Sequence, residues 1–142
     1  MNPDIQFVSV LADHPRLFAF VLTAFADGID SGAFPAGRLP PTGTESCAFH
    51  APDGVEPIAF ATFYQPDERS FVWLDLLWVE PEFRERGWGG AIIQALADRS
   101  RRVGHSHLEF GTLASNGAMQ QLAEKIGCDR FTIGYRLELA HG

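Results

Sequence analysis

The sequence predicts an α/β (α+β) fold: a mixed, mostly antiparallel central sheet of about six to seven strands, flanked by helices. Short runs rich in Val, Ile, Phe and Trp recur between turn residues, and two segments with apolar positions at helical spacing follow the longest of those runs. The pattern alternates towards the carboxyl end, which calls for helices on the faces of a sheet. In order, "IQFVSV" makes a first strand. Asp13 caps a helix with Pro15 in its first turn, and "RLFAFVLTAFADG" carries it to Gly28, its Phe content marking it as largely buried. "DGIDSGAFPAGRLPPTGTES" is dense in Gly, Pro, Ser and Thr and reads as an irregular connection with room for a short helical turn, placed to overhang a site. "CAFHA", the turn signal "PDG" and "PIAFATFYQ" make an antiparallel hairpin, and after "PDERS" the strand "FVWLDLLWV" completes a meander. A helix from about Trp88 to Val103, a strand "HLEFGTL", a helix from Asn116 to Ile126 and a final strand "RFTIGYRLEL" follow. With no internal repeat and 142 residues, the expectation is one domain spanning 1–142.

Charge and composition exclude several function classes. Eleven Lys plus Arg against 18 Asp plus Glu give a net charge of −7, which argues against a sequence-independent grip on nucleic acid, because phosphate contacts need clustered cations. An acidic chain still steers basic substrates towards itself. The amino terminus lacks the basic region and apolar core of a signal peptide, and "LFAFVLTAFA" is too short to span a bilayer, so the expectation is a cytoplasmic protein with no membrane partner. Cys47 and Cys128 form no CxxC and the five His no HExxH, so neither a disulfide framework nor a metal site is expected, and both thiols read as buried. A homodimer is compatible with the apolar amino-terminal half, although no segment supplies an interface.

The stretch "VEPEFRERGWGGAIIQALADRSRRVG", Val79 to Gly104, carries the chemistry. A strand that runs through a tight loop into a helix makes an anion site, since the helix amino end presents unpaired N–H groups and partial positive charge. Gly87, Gly89 and Gly90 permit close backbone approach, while Arg84 and Arg86 add charge-assisted bonds. The alternative is a plain turn into a helix; the two arginines and the preceding strand favour phosphate. Neither GK[ST] nor a GxGxxG after the first strand of a βαβ unit is present.

At these residues the sequence resembles the GNAT superfamily of N-acetyltransferases. Its acetyl-CoA motif R/Q-x-x-G-x-G/A is present as Arg84, Gly87 and Gly89, preceded by the V-x-P of Val79 and Pro81, and "SNGAMQQLAEKIGC" resembles the family's later asparagine-led helix, with Asn116 and Gly127 in place. The resemblance covers roughly the half from Leu74 onwards. It implies acetyl-CoA as acetyl-donor co-substrate, with no metal. The pantetheine arm would pair with the backbone of Leu77, Trp78 and Val79. The pyrophosphate would lie on the amides of Glu85, Arg86, Gly87, Trp88, Gly89 and Gly90, and Asn116 would contact the cofactor arm; Asn116 is equally suited to cap its helix. The family's frequent tyrosine acid corresponds here to Ala123, and its "GF" is Gly127 and Cys128, which leaves the proton donor to the thiolate open among Tyr135, Tyr64, Ser115 and water.

The reaction adds its own demand. A protonated alkyl amine, pKa about 10.4, loses its proton at pH 7 at a cost of roughly 4–5 kcal/mol unless a base assists. Asp75 interrupts the apolar "FVWLDLLWV", and by alternation shares a face with Trp73, Leu77 and Val79. It is read either as the base or as an edge-facing or salt-bridged aspartate. Glu109 is the second candidate, on the neighbouring strand where the family often places a carboxylate; an exposed-face glutamate explains it as well. "RSRR" reads as a solvated helix end, Met119, Leu122, Ala123 and Ile126 as core, and His50, His105 and His107 as structural. Trp88, flanked by glycines, is the aromatic best placed to meet a ligand. The expected function is transfer of an acetyl group from acetyl-CoA to a primary amine of a small molecule or peptide, by direct attack in a ternary complex. Two alternatives remain: a non-catalytic acyl-CoA-binding or sensing module, and a phosphate-binding or protein-interaction domain of the same shape.

Overall fold

The computed structural model describes residues 4–52 and 56–139. Five strands, β1 (Ile5–Val8), β2 (Ser46–His50), β3 (Ala59–Tyr64), β4 (Val72–Val79) and β5 (Leu108–Glu109), lie in one sheet in sequence order. The first four are antiparallel to their neighbours and β5 is parallel to β4. That switch requires a crossover, which is helix α2 (Trp88–Val103). Helix α1 (Pro15–Asp30) connects β1 to β2 through the irregular segment 31–45, and α3 (Gly117–Lys125) follows β5.

The sheet separates two apolar clusters. Leu17, Val21, Ala24 and Phe25 of α1 pack on Cys47, Phe49, Phe60, Leu76 and Trp78; Ile92, Ile93 and Leu96 of α2 pack on Ala48, Ala59, Ala61, Phe63, Val72 and Leu74. Alternation in β2 and β3 sends the large rings Phe49 and Phe60 to one face and small alanines mostly to the other, so α2 seats close against the sheet. Each fully buried side chain of the Leu17 or Ile92 kind contributes about 1.5–3 kcal/mol.

Several expectations change. The α1 cap is His14, not Asp13: the His14 ring nitrogen Nδ1 accepts from the Leu17 amide at 3.2 Å, with Pro15 at the first helical position. The helix runs two residues past Gly28, and it is amphipathic rather than largely buried, with Phe18 and Phe20 only part-covered. Segment 31–45 holds turns but no helix. Part of the "PDG" turn, Asp53 and Gly54, falls outside the described residues. "HLEFGTL" keeps only Leu108–Glu109 as strand, and "RFTIGYRLEL" forms no strand, which lowers the count to five. Its alternating Phe131, Ile133, Tyr135, Leu137 and Leu139 are exposed. Alternation is a pattern for burying one face against a sheet edge, and a two-residue β5 presents too little edge to hold ten. Cys47 is buried, and that burial pushes its thiol far up, but Cys128 is exposed; Ile126 is exposed too, because α3 ends there.

Candidate functional site

The site begins with a fault in the sheet. Between Thr62 and Phe63 the register jumps, so that Leu76 and Leu74 face consecutive residues of β3 and Asp75 has no counterpart. This is a β-bulge, and it turns the strand over: Val72 and Leu74 belong to the α2 cluster, Leu76 and Trp78 to the α1 cluster. Simple alternation therefore does not hold through Asp75. The buried Thr62 hydroxyl accepts the Leu76 amide at 3.2 Å, satisfying the backbone beside the bulge.

Beyond the bulge the sheet opens. β5 pairs with β4 only at Val72–Leu108 and Trp73–Glu109, so the β4 edge from Leu74 to Val79 has no ladder partner on that side. A cavity of about 290 Å³ fills the gap. Trp73, Leu74, Asp75 and Leu77 supply its β4 wall, Phe110 to Leu113 the opposite wall, Asn116 and Met119 of α3 the end, and Ala33, Phe34, Pro35 and Arg38 of the irregular segment the cover. That segment overhangs the site, as its composition predicts.

Asp75 is ion-paired with Arg38 and accepts from the Trp73 indole N–H at 3.4 Å. The side chains are 17% and 29% exposed, so the pair is shielded from water without being sealed. Arg38 went unnoticed in the sequence, where one arginine in a Gly- and Pro-rich loop carries no periodic signal. Glu109 is elsewhere: its carboxylate meets His107 Nε2 at 2.7 Å, and it does not line the cavity. The structure thus brings Asp75 to the cavity and leaves Glu109 outside. Tyr64 and Tyr135 are exposed, Tyr135 by 92%, Ser115 is exposed, and none of the three lines the cavity.

The chain leaves β4 at Val79 and passes a turn of 3-10 helix, Pro81–Phe83, into the Arg84–Gly87 loop. Arg84 Nε donates to the Val79 carbonyl at 2.7 Å, and its guanidinium lies 4.6 Å from the Trp78 ring centre, which ties the loop back onto the strand. Arg86 covers the Phe83 ring. Glu85 and Gly87 are left-handed, φ 63° and 86°, a conformation costing about 1–2 kcal/mol at a residue that bears a side chain. Gly87 provides no side-chain cap, and the Ala91 amide donates to its carbonyl at 3.0 Å, so the first-turn amides of Trp88, Gly89 and Gly90 lie at an uncapped helix end. The Trp88 ring stacks on buried His50, with 3.9 Å between ring centres. Asn116 caps α3 through its carbonyl oxygen to the Met119 amide at 3.1 Å and reaches the Ala33 carbonyl with its amide at 3.5 Å, while also lining the cavity.

A family model described as acetyltransferase (GNAT) family matches residues 20–128. The chain belongs to the GNAT acetyltransferase family. The match takes in α1 from Phe20 onwards, the bulged strand, the arginine–glycine loop and α3. Solved structures agree in fold. A ribosomal-protein-alanine N-acetyltransferase from Brucella melitensis biovar Abortus 2308 is similar with TM-score 0.71 at 19% identity, covering 96% of this chain and 99% of that one. An aminoglycoside acetyltransferase from an uncultured soil metagenomic sample, solved with sisomicin, gives TM-score 0.72 at 10% identity over 96% and 97%. An aminoglycoside N-acetyltransferase solved with CoA gives 0.64 at 20% identity over 98% and 100%. At these identities the likeness speaks for the fold alone. A search of the curated proteins found no match to this sequence.

Among the described residues of this GNAT chain no group of three or more His, Cys, Asp or Glu is placed to hold a metal ion, and no helix is long and apolar enough to cross a membrane.

Proposed function

We propose that the protein transfers an acetyl group from acetyl-CoA to a primary amine, by direct attack in a ternary complex, with Asp75 as the group that receives the amine. The observation that carries this reading is the bulge at Asp75, which sets a shielded carboxylate in a cavity at the open edge of β4, just upstream of an uncapped helix end. The edge of Leu77, Trp78 and Val79, which has no ladder partner on the β5 side, suits an extended, amide-bearing arm, which would add as a strand does. The amides from Glu85 to Gly90, with Arg84 and Arg86 beside them, suit the pyrophosphate. A volume of about 290 Å³ admits the thioester end and a small acceptor.

Acetyl-CoA supplies an activated acyl group on a thiol leaving group. Asp75 holds the acceptor ammonium and takes one proton from it, directly or through water. The freed amine adds to the thioester carbonyl carbon, the carbon–sulfur bond breaks, and the nitrogen gives up its second proton as the amide forms. Per turnover one amide, one thiol and one proton result. Cys47 is buried and Cys128 lies in the exposed segment after α3, so a thiol acyl-enzyme has no support from either. A second reading, a non-catalytic acyl-CoA-binding module, is favoured by one feature: Ala123 replaces the family's tyrosine, and none of Tyr64, Tyr135 and Ser115 lines the cavity. Calorimetry with acetyl-CoA, followed by thiol release over an amine panel, separates the two. Binding with release supports transfer, whereas binding without release on any amine supports the module.

A further inference from the structure

We infer that the acceptor is a small zwitterion, an α-amino acid with an apolar side chain, and that Arg38 is the residue that selects it by holding its carboxylate. The inference deepens the transferase reading and rests on it only for calling this ligand an acceptor.

Arg38 and Asp75 are the charged residues among those lining the cavity, and they are paired with each other. Much of the remaining wall is apolar, including Phe34, Trp73, Leu77, Phe110, Leu113 and Met119. Such a site is locally neutral although the chain as a whole carries a net charge of −7. A ligand ammonium that takes the Oδ2 position displaces Arg38 from it, and one that takes Oδ1, which now accepts only the Trp73 indole at 3.4 Å, brings a second cation beside the guanidinium. A polycationic amine would leave the guanidinium unpaired in a shielded pocket and face its repulsion as well. A zwitterion exchanges one ion pair for two.

The geometry also limits spacing. Arg38 and Asp75 start in contact, so a ligand whose cation and anion lie only a few bonds apart engages both with the least movement, which fits an amine and a carboxylate on the same carbon. The guanidinium's planar fork accommodates a carboxylate through two parallel bonds. The side chain of the amino acid would then lie against the apolar wall.

Leucine, leucinamide and spermidine make the test. Leucinamide keeps the side chain and the amine but lacks the carboxylate. A chain-terminal type of α-amine, pKa about 7.7–8.0, gives up its proton readily, so without carboxylate recognition leucinamide should be the better acceptor. Equilibrium binding is read from tryptophan fluorescence, to which Trp73 beside Asp75 contributes, and kcat/KM from thiol release with acetyl-CoA. The expected result is that leucine exceeds leucinamide by about ten- to a hundredfold in both, with spermidine weaker still. Arg38→Gln should erase that ratio, and Arg38→Lys should keep part of it, showing that charge rather than folding is at issue. Leucinamide or spermidine equalling leucine, or no zwitterion binding, overturns the inference. If spermidine is acetylated best, the transferase reading stands and this one falls. If the leucine preference appears in binding but acetyl-CoA does not bind, the assignment of the pocket stands and the transferase reading falls.

Discussion

A Cβ built on Gly89 would lie 3.2 Å from Leu122 Cδ2 and 3.7 Å from Leu77 Cδ2, so α2, α3 and β4 converge on a residue that has no side chain. Gly89 thus has a packing role beside the phosphate-binding role proposed for its amide. Gly89→Val should lower acetyl-CoA affinity at least about tenfold and also lower Tm, since overpacking of this kind costs about 1–3 kcal/mol. Adding Leu122→Ala should recover part of the Tm but not the affinity. Recovery of both, measured by calorimetry and thermal unfolding, would assign the glycine to packing alone.

Arg84 links β4 to the loop through its Nε bond to the Val79 carbonyl and its position over Trp78. Arg84→Ala should weaken acetyl-CoA binding by about tenfold and flatten its salt dependence, with little change in kcat at saturation. Arg84→Lys should restore little, because an ammonium cannot bond the carbonyl and reach a phosphate from the same plane. Titrations at two ionic strengths decide this.

Glu109 pairs with His107 outside the cavity. Glu109→Gln should therefore change kcat by no more than about twofold, the scale of a surface substitution. A large loss of kcat with KM unchanged would restore Glu109 to the chemistry.

The turn that ends the overhanging segment is held by Glu45. Burial pushes its carboxyl up, but the amides of Glu45, Thr42 and Gly43 and the Thr42 hydroxyl together outweigh that, leaving it below its ordinary value of 4.5. The folded carboxyl binds its proton less readily than the unfolded one. Its contribution to stability is thus complete above about pH 4.5 and fades as pH falls through the lower folded value. Thermal unfolding from pH 7 to pH 3 should show wild type above Glu45→Gln at neutral pH and the two converging in acid. Parallel curves would contradict the assignment.

Most of the site's framework was legible because it is written in local chemistry. A glycine-rich turn into a helix at Trp88, an asparagine at the start of α3 and a carboxylate inside an apolar strand each declare themselves within a few residues. What stayed hidden depends on distant partners. The bulge at Asp75 exists only against Thr62 and Phe63 of β3, and the Arg38–Asp75 pair joins positions 37 apart in sequence. His50 and Trp88 likewise meet only after folding. The last segment shows the converse error: Phe131 to Leu139 alternate as a strand does, yet alternation states a preference and cannot supply an edge to pair with.

Thiol release from acetyl-CoA as a function of amine, with wild type beside Asp75→Asn, tests the central claim most directly. Amine-dependent release by the wild type is expected. The variant should bind acetyl-CoA as tightly and turn over about 10²–10⁴-fold more slowly, the usual contribution of a positioned base. Equal rates for the two proteins, or no release by the wild type on any amine, would contradict Asp75 as the group that receives the acceptor.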